Sequence, residues 1–243
     1  PKLTAFSHRG AKEFAHRQLW QAGLMGAKAR FFLAGGAFKS LLTGKPPKDL
    51  DIWAPSATDR KLIIDRLLER GNRILPVGPY NERFRVDGTV VEVSNKTEPD
   101  TLHERLGRFD LALSAVGVEH LSGGKLELAV MSPLAIESME RREVLLLRPL
   151  VTRRHVLSTI SRMCSYATEL AFQVPAEEEA HAWSVFTSQD PATREGMLER
   201  FRASAHYNAG IEEEARKRIN SIHQFNPAPQ SQCLQTSTKR SPN

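Results

Sequence analysis

Residues 31–53, FFLAGGAFKSLLTGKPPKDLDIW, hold two chemical signals in a fixed order. Phe31–Ala34 is a short apolar run of strand type, stopped by Gly35-Gly36. Two adjacent glycines at a strand-to-helix turn let the backbone approach a bulky ligand with no side chain in the way. Residues 37–42 read as a helix whose N-terminal amides aim at that turn, a seat for a phosphate. After the loop Lys45-Pro46-Pro47-Lys48, residues 49–53 read as a short alternating strand. A period of two puts Asp49 and Asp51 on the same face. There they repel one another unless a cation lies between them, and hard oxygen ligands suit Mg²⁺. A phosphate cradle followed by paired carboxylates is apparatus for moving a phosphoryl or nucleotidyl group by in-line displacement.

A third carboxylate is expected from a neighbouring strand. Glu92 fills that place, an acidic residue inside the apolar run Val90-Val91-Glu92-Val93. Asp110 is the rival third carboxylate, and a salt-bridged edge-strand role is the alternative for Glu92.

Working outward, the pattern predicts an α+β chain: a mixed-sheet head followed by an all-helical part. Residues 11–28 read as a helix, and residues 58–70 as an amphipathic one bearing Leu62, Ile63, Leu67 and Leu68. Asp87-Gly88 between Phe84-Arg85-Val86 and residues 89–93 is a hairpin signal. Residues 109–118 and 125–130 are further strand candidates. Helical spacing returns at Val156, Ile160, Met163, Ala167 and Leu170 and continues over 176–186, 193–205 and 210–225. Residues 226–243 are rich in Pro, Gln, Ser and Thr without periodicity and read as disordered. The expected divisions are a head at 1–149, a helical neck and C-terminal part at 150–225, and a tail at 226–243.

Composition narrows the partners. In 243 residues, 34 Lys and Arg stand against 28 Asp and Glu, a net charge of +6 that suits an anionic partner. No apolar run approaches the roughly 20 residues a membrane span needs, and the first residues lack the apolar core of a secretory signal. Cys164 and Cys233 lie too far apart in sequence for a metal cluster or a disulfide framework, so a reducing, cytoplasmic setting is expected. The eight histidines show no metal-ligand spacing.

Gly35-Gly36-Ala37-Phe38-Lys39-Ser40-Leu41-Leu42-Thr43-Gly44, followed by Asp49-Leu50-Asp51-Ile52, resembles the signature of the DNA polymerase β-like nucleotidyltransferase superfamily. The similarity is to the head of the bacterial poly(A) polymerase and CCA-adding tRNA nucleotidyltransferase branch. Gly35, Gly36, Leu41, Leu42, Gly44, Asp49, Asp51 and Ile52 match in register. Lys39 stands where that branch has Arg, and Ser40 where it has Asp. Residues 91–96 resemble the strand carrying its third acidic residue. Arg108-Phe109-Asp110 resembles its Arg-Arg-Asp motif, with Phe109 in place of the second Arg. Residues 155–172 have the spacing of its neck helix, whereas residues 151–155 lack the Glu-Asp-x-x-Arg group that reads the incoming base.

The resemblance implies a palm-like head that transfers NMP from an NTP, ATP or CTP, to an acceptor hydroxyl with release of pyrophosphate. It implies two Mg²⁺ ions, replaceable by Mn²⁺, held by Asp49, Asp51 and Glu92. Gly35, Gly36, Lys39, Arg108 and Asp110 are its nucleotide-binding residues, and an RNA 3′ end is its expected acceptor. A protein or small-molecule acceptor is one alternative, and a catalytically weak module that binds nucleic acid or a partner is another. The basic segments Arg141-Arg142, Arg153-Arg154 and Arg216-Lys217-Arg218, and the aromatics Trp183, Phe201 and Tyr207, are candidates for RNA contact or equally for solvated faces and core.

Overall fold

Asp87 and Gly88 both take positive φ, 45° and 82°, in a computed structural model that describes residues 5–74, 80–151 and 153–225. That backbone matches the right-handed twist of the strands it joins, and it closes the hairpin of β4 (Asn81–Val86) and β5 (Thr89–Ser94) at the pair Val86 and Thr89. β5 lies parallel to β2 (Leu50–Trp53), and β2 lies antiparallel to β1 (Phe31–Ala34). β3 (Asn72–Ile74), β6 (Val116–Leu121), β7 (Lys125–Leu126) and β8 (Val130–Met131) complete one mixed sheet among the described residues. Its order is β3-β4-β5-β2-β1-β6-β7, with β8 also on β6.

The alternation of the central strands separates two faces. Leu50, Ile52, Val91, Val93, Phe84 and Val86 are fully buried on one, and α3 (Ala57–Arg70) covers it. Arg60 on α3 reaches Glu82 at 2.6 Å and the Ser94 carbonyl at 2.9 Å. α3 buries Ile63, Ile64 and Leu67, while Leu62 and Leu68 are 40% and 46% exposed, so the expected stripe is rotated toward Ile64. α1 (His8–Gln21) is capped by Ser7 and buries Ala11, Phe14, Ala15 and Leu19. It is shorter than expected, because Gly23 takes φ 69° and the chain turns there. Buried His120 on β6 fixes the segment after α1: it stacks on Phe31 at 4.3 Å, and its two ring nitrogens meet the carbonyls of Ala29 and Met25 at 3.1 and 3.0 Å.

The other face carries Asp51, Trp53, Glu92 and Arg83. It is covered in part by α4 (Leu102–Leu106), whose Leu102 and Leu106 pack with Phe32, Ala34 and Ala115. Residues 36–43 form a 3-10 turn and a single α-turn, α2 (Ser40–Thr43), where residues 37–42 were read as one helix. Of residues 109–118 only the last three are strand. Ala112–Ser114 is a 3-10 turn. The stretch 125–130 is likewise two short strands interrupted by residues 127–129.

α5 (Pro133–Arg141), α6 (Val156–Leu170), α7 (Ala176–Thr187) and α8 (Pro191–Arg202) follow. Of the described residues, 5–207 form one compact unit and 208–225 belong to a second. In the second, α9 (Ala209–Phe225) pairs Arg216, Lys217 and Arg218 with Glu212, Glu213 and Glu214 one turn earlier, at 3.2, 2.8 and 2.8 Å. This triplet is the solvated ion-pair face. Trp183 and Phe201 belong to the core, while Tyr207 is 47% exposed. The expected disordered tail, Cys233 and Thr152 lie outside the described residues. Among the described residues no helix is long and apolar enough to cross a membrane.

Ile63→Ala opens a cavity under the sheet and is expected to cost about 2–5 kcal/mol in urea unfolding, against less than about 1 for Leu62→Ala. Equal costs contradict the rotated face.

Candidate active site

Gly35 ends β1 with φ 117°, a backbone closed to side-chain-bearing residues without strain. A Cβ there would also lie 2.9 Å from Asp51 Oδ2 and 3.5 Å from the Phe109 ring. The turn and the β2 carboxylate therefore touch directly. At Gly36 a Cβ would lie 2.8 Å from the Tyr166 hydroxyl on α6. Gly35 is required by its backbone, and both glycines leave room for a side-chain end to close in, one from the sheet and one from the helix.

Asp49 immediately precedes β2, and Asp51 sits within it beside Glu92, its register partner on β5. Opposite strand residues share a face, so Asp51 and Glu92 point to the partly covered side of the sheet. Burial, then the negative charges of Asp49 and Glu92, push the Asp51 carboxyl up to about 7 against the opposing pull of Arg162. Burial and Asp49 also raise Glu92, against Arg83. Glu92 accepts a hydrogen bond from Asn81 Nδ2 and pairs with Arg83 Nε at 2.8 Å. Among the described residues no three or more His, Cys, Asp or Glu side chains are gathered as a metal-binding group. The donor chemistry of Asp49 and Asp51 fits a hard cation; Glu92 stands next to them but is already held.

The remaining expected residues are distributed as follows. Lys39 is ion-paired with Glu169 and lies 4.3 Å from the Tyr166 ring centroid. Arg108 is exposed, with no ion-pair partner among the described residues. Asp110 is buried and turned toward α6. Its Oδ1 accepts from Arg162 at 2.6 Å and from its neighbour's amide, Leu111 N, at 2.9 Å, while Oδ2 accepts from Thr159 at 2.8 Å. Burial raises the Asp110 pKa, but Arg162 and the Thr159 hydrogen bond outweigh it and hold the group below the ordinary carboxylate range. Asp110 is thus a buried anchor, not the rival third carboxylate.

Sequence reading missed the α6 contribution. Thr159, Arg162, Tyr166 and Glu169 recur at three- and four-residue steps, a polar stripe on one side of a helix read only for its apolar one. Arg162 Nη2 and Tyr166 also meet Ser114 Oγ, at 3.1 and 3.0 Å. Trp53 and Arg105 were missed as well. Arg105 is 4% exposed, lies 4.3 Å over the Trp53 ring and donates to the Pro99 carbonyl at 3.2 Å. Burial and then Arg108 depress its pKa to about 10. Buried Trp53 Nε1 and Arg105 Nε have no acceptor among the described residues.

A mixed sheet that presents an Asp-x-Asp strand beside a Gly-Gly turn, with helices following, is a fold this chain shares with solved structures. Several of the solved structures that share it are tRNA enzymes. A tRNA-processing enzyme in an apo form is 18% identical, with a TM-score of 0.54 over 85% of this chain and 56% of its own. The Thermotoga maritima CCA-adding enzyme complexed with tRNA is 14% identical, with a TM-score of 0.53 over 93% of this chain and 54% of its own. A CCA-adding enzyme in complex with CTP is 16% identical, with a TM-score of 0.54 over 86% and 50%. The chain spans about half the length of these structures. No protein-family model and no curated protein matches the chain.

The raised Asp51 carboxyl, driven first by burial and then by the charges of Asp49 and Glu92, has a sign that can be measured. Between the ordinary carboxylate range and about 7, folded Asp51 keeps a proton that the unfolded chain has lost, so stability falls as pH rises through that window. Asp51→Asn is expected to stabilise the protein by about 1–3 kcal/mol at pH 8 and by nothing at pH 4, read as melting temperature. An equal effect at both pH values contradicts the electrostatic cause.

Proposed function

We propose that the chain is a nucleotidyltransferase that moves a nucleoside monophosphate from an NTP to an acceptor hydroxyl, the 3′ end of an RNA. The acceptor oxygen forms a bond to the α-phosphorus as the bond to the bridging oxygen breaks, and pyrophosphate leaves with the electron pair. The observation that carries this reading is the contact of Asp51 with Gly35. It brings the Asp51 carboxylate within contact reach of a turn whose φ of 117° favours glycine, with Asp49 two residues before it. The shared fold supports it, since one matched structure is a tRNA nucleotidyltransferase complexed with a primer tRNA and an incoming ATP analog.

In this reading Asp49 and Asp51 hold a divalent cation, Mg²⁺ or Mn²⁺. When bound, such a cation polarises phosphoryl oxygens and lowers the pKa of a coordinated hydroxyl. The chain's own residues do the rest. Gly35 and Gly36 leave the backbone accessible to a phosphate. Arg108, exposed one residue before Phe109, supplies a positive charge for the triphosphate. Arg105 Nε and Trp53 Nε1 offer donors to an anionic ligand. Glu92 takes the acceptor proton once Arg83 releases it. Lys39 joins the triphosphate by exchanging Glu169 for a phosphate oxygen. Asp110 keeps α6, and with it Tyr166, against the turn.

The pairs Lys39–Glu169 and Glu92–Arg83 also favour a second reading, in which the site binds nucleotide or RNA without transfer. Incubation with each labelled NTP, Mg²⁺ or Mn²⁺, and mixed RNA separates the two. Extended RNA and pyrophosphate are expected from the wild type, none from Asp49→Ala/Asp51→Ala, and roughly 10²-fold less from Glu92→Gln. No product under any NTP and metal, with nucleotide binding retained, leaves the binding reading. Equal product from wild type and double variant contradicts both roles of β2.

A further inference from the structure

We propose that the exposed side of α1 is a docking surface for single-stranded RNA, separate from the carboxylate site and on the opposite face of the sheet. The location follows from packing. His120, whose register partner on β7 is Leu126, lies on the face covered by α3, and it holds the segment that follows α1. Arg66 on α3 donates to the Gly23 carbonyl just past α1, at 3.2 Å. Asp51 and Glu92 lie on the other face.

Between α1 and β7 runs an open cleft of about 590 Å³, lined by Arg9, Lys12, Glu13, His16, Arg17, Lys125 and Leu126. Four cations face one carboxylate there. Arg9 is paired with Glu13 at 2.8 Å and Lys125 with Glu127 at 3.0 Å. Lys12 and Arg17 have no ion-pair partner among the described residues, so their charge is available to an incoming anion. A solvated ion-pair face of the kind seen on α9 would leave no such excess.

Charge alone suits any polyanion; the aromatic content favours RNA. Trp20 is 69% exposed and lies nearly parallel to His16, with ring centroids 6.4 Å apart and planes at 17°. An exposed indole over an imidazole at the end of a basic cleft is a stacking platform for a base, sequence-tolerant because every base has a flat face. At the other end of the helix, His8 Nδ1 meets the Ala129 carbonyl at 2.7 Å and sets Leu128, 70% exposed, beside the start of α1. Cations spaced along the helix and apolar groups at both ends, about 18 Å apart at 1.5 Å per residue, fit alternating phosphates and bases. An acidic peptide would use the charges and leave Trp20 without a role.

Fluorescence anisotropy of a labelled 12-nucleotide RNA, without NTP or divalent cation, tests this surface independently of the transfer reading, and failure of either leaves the other standing. Lys12→Glu/Arg17→Glu is expected to weaken binding by at least roughly tenfold. It should also lower the slope of log affinity against log salt by about 1.4, two phosphate contacts at about 0.7 each. Trp20→Ala is expected to weaken binding by roughly 5- to 150-fold with the salt slope unchanged. Photocrosslinking of 4-thiouridine RNA to the wild type should label the peptide carrying residues 8–21, which keeps the test open should a variant misfold. Unchanged affinity in both folded variants, crosslinks confined to other peptides, or equal competition by poly-glutamate would each overturn the proposal.

Discussion

The ion pair between Asp110 and Arg162 is the interaction on which the site's architecture depends. A buried carboxylate stays ionised only when a cation and hydrogen bonds replace its water. Asp110 has both, from Arg162, Thr159 and the Leu111 amide. Removing one partner of such a pair costs about 3–5 kcal/mol, because the other charge is left buried and alone. The pair therefore fixes where α6 lies against the sheet, and three consequences follow along one side of that helix. Tyr166 meets Gly36 where a Cβ would clash, Ser114 is held between Arg162 and Tyr166, and Glu169 reaches Lys39. The apolar side of α6 supplies burial, and the polar side supplies position.

Against that fixed wall, β2 carries a buried carboxylate, Asp51, with no close cation among the described residues to offset its burial. Its hydrophobic residues Leu50 and Ile52 anchor it to the core, and the same alternation turns Asp51 outward beside Glu92. Arg83 and Asn81 compensate Glu92, while Asp51 receives only a distant pull from Arg162. The strand is held firmly on one face and destabilised on the other. That arrangement is expected where a cation supplies the missing compensation.

Much of this was legible in the residues. Period-two alternation gave β2 and β5, Asp87-Gly88 gave the hairpin, and the order of Gly-Gly before Asp-x-Asp pointed to the fold. What was not legible depends on distance in the chain. Asp110 looked like a site carboxylate because its partner lies 52 residues away, on a helix whose polar stripe has no meaning until the helix is placed. Lys39 looked free for the same reason, Glu169 being 130 residues distant. Residues 37–42 looked like one helix because a 3-10 turn and an α-turn share nearly the same spacing. Basic runs were ambiguous until α9 showed its glutamates one turn away.

The central claim is that Asp49 and Asp51 form a cation site beside Gly35. Its most direct test is electron paramagnetic resonance of Mn²⁺ titrated into the protein at pH 7.5, in the presence of a non-hydrolysable NTP analogue. The wild type is expected to remove the free Mn²⁺ signal at stoichiometric protein, and Asp49→Ala/Asp51→Ala to leave it as the analogue alone does. Equal loss of the signal with both proteins would contradict the account.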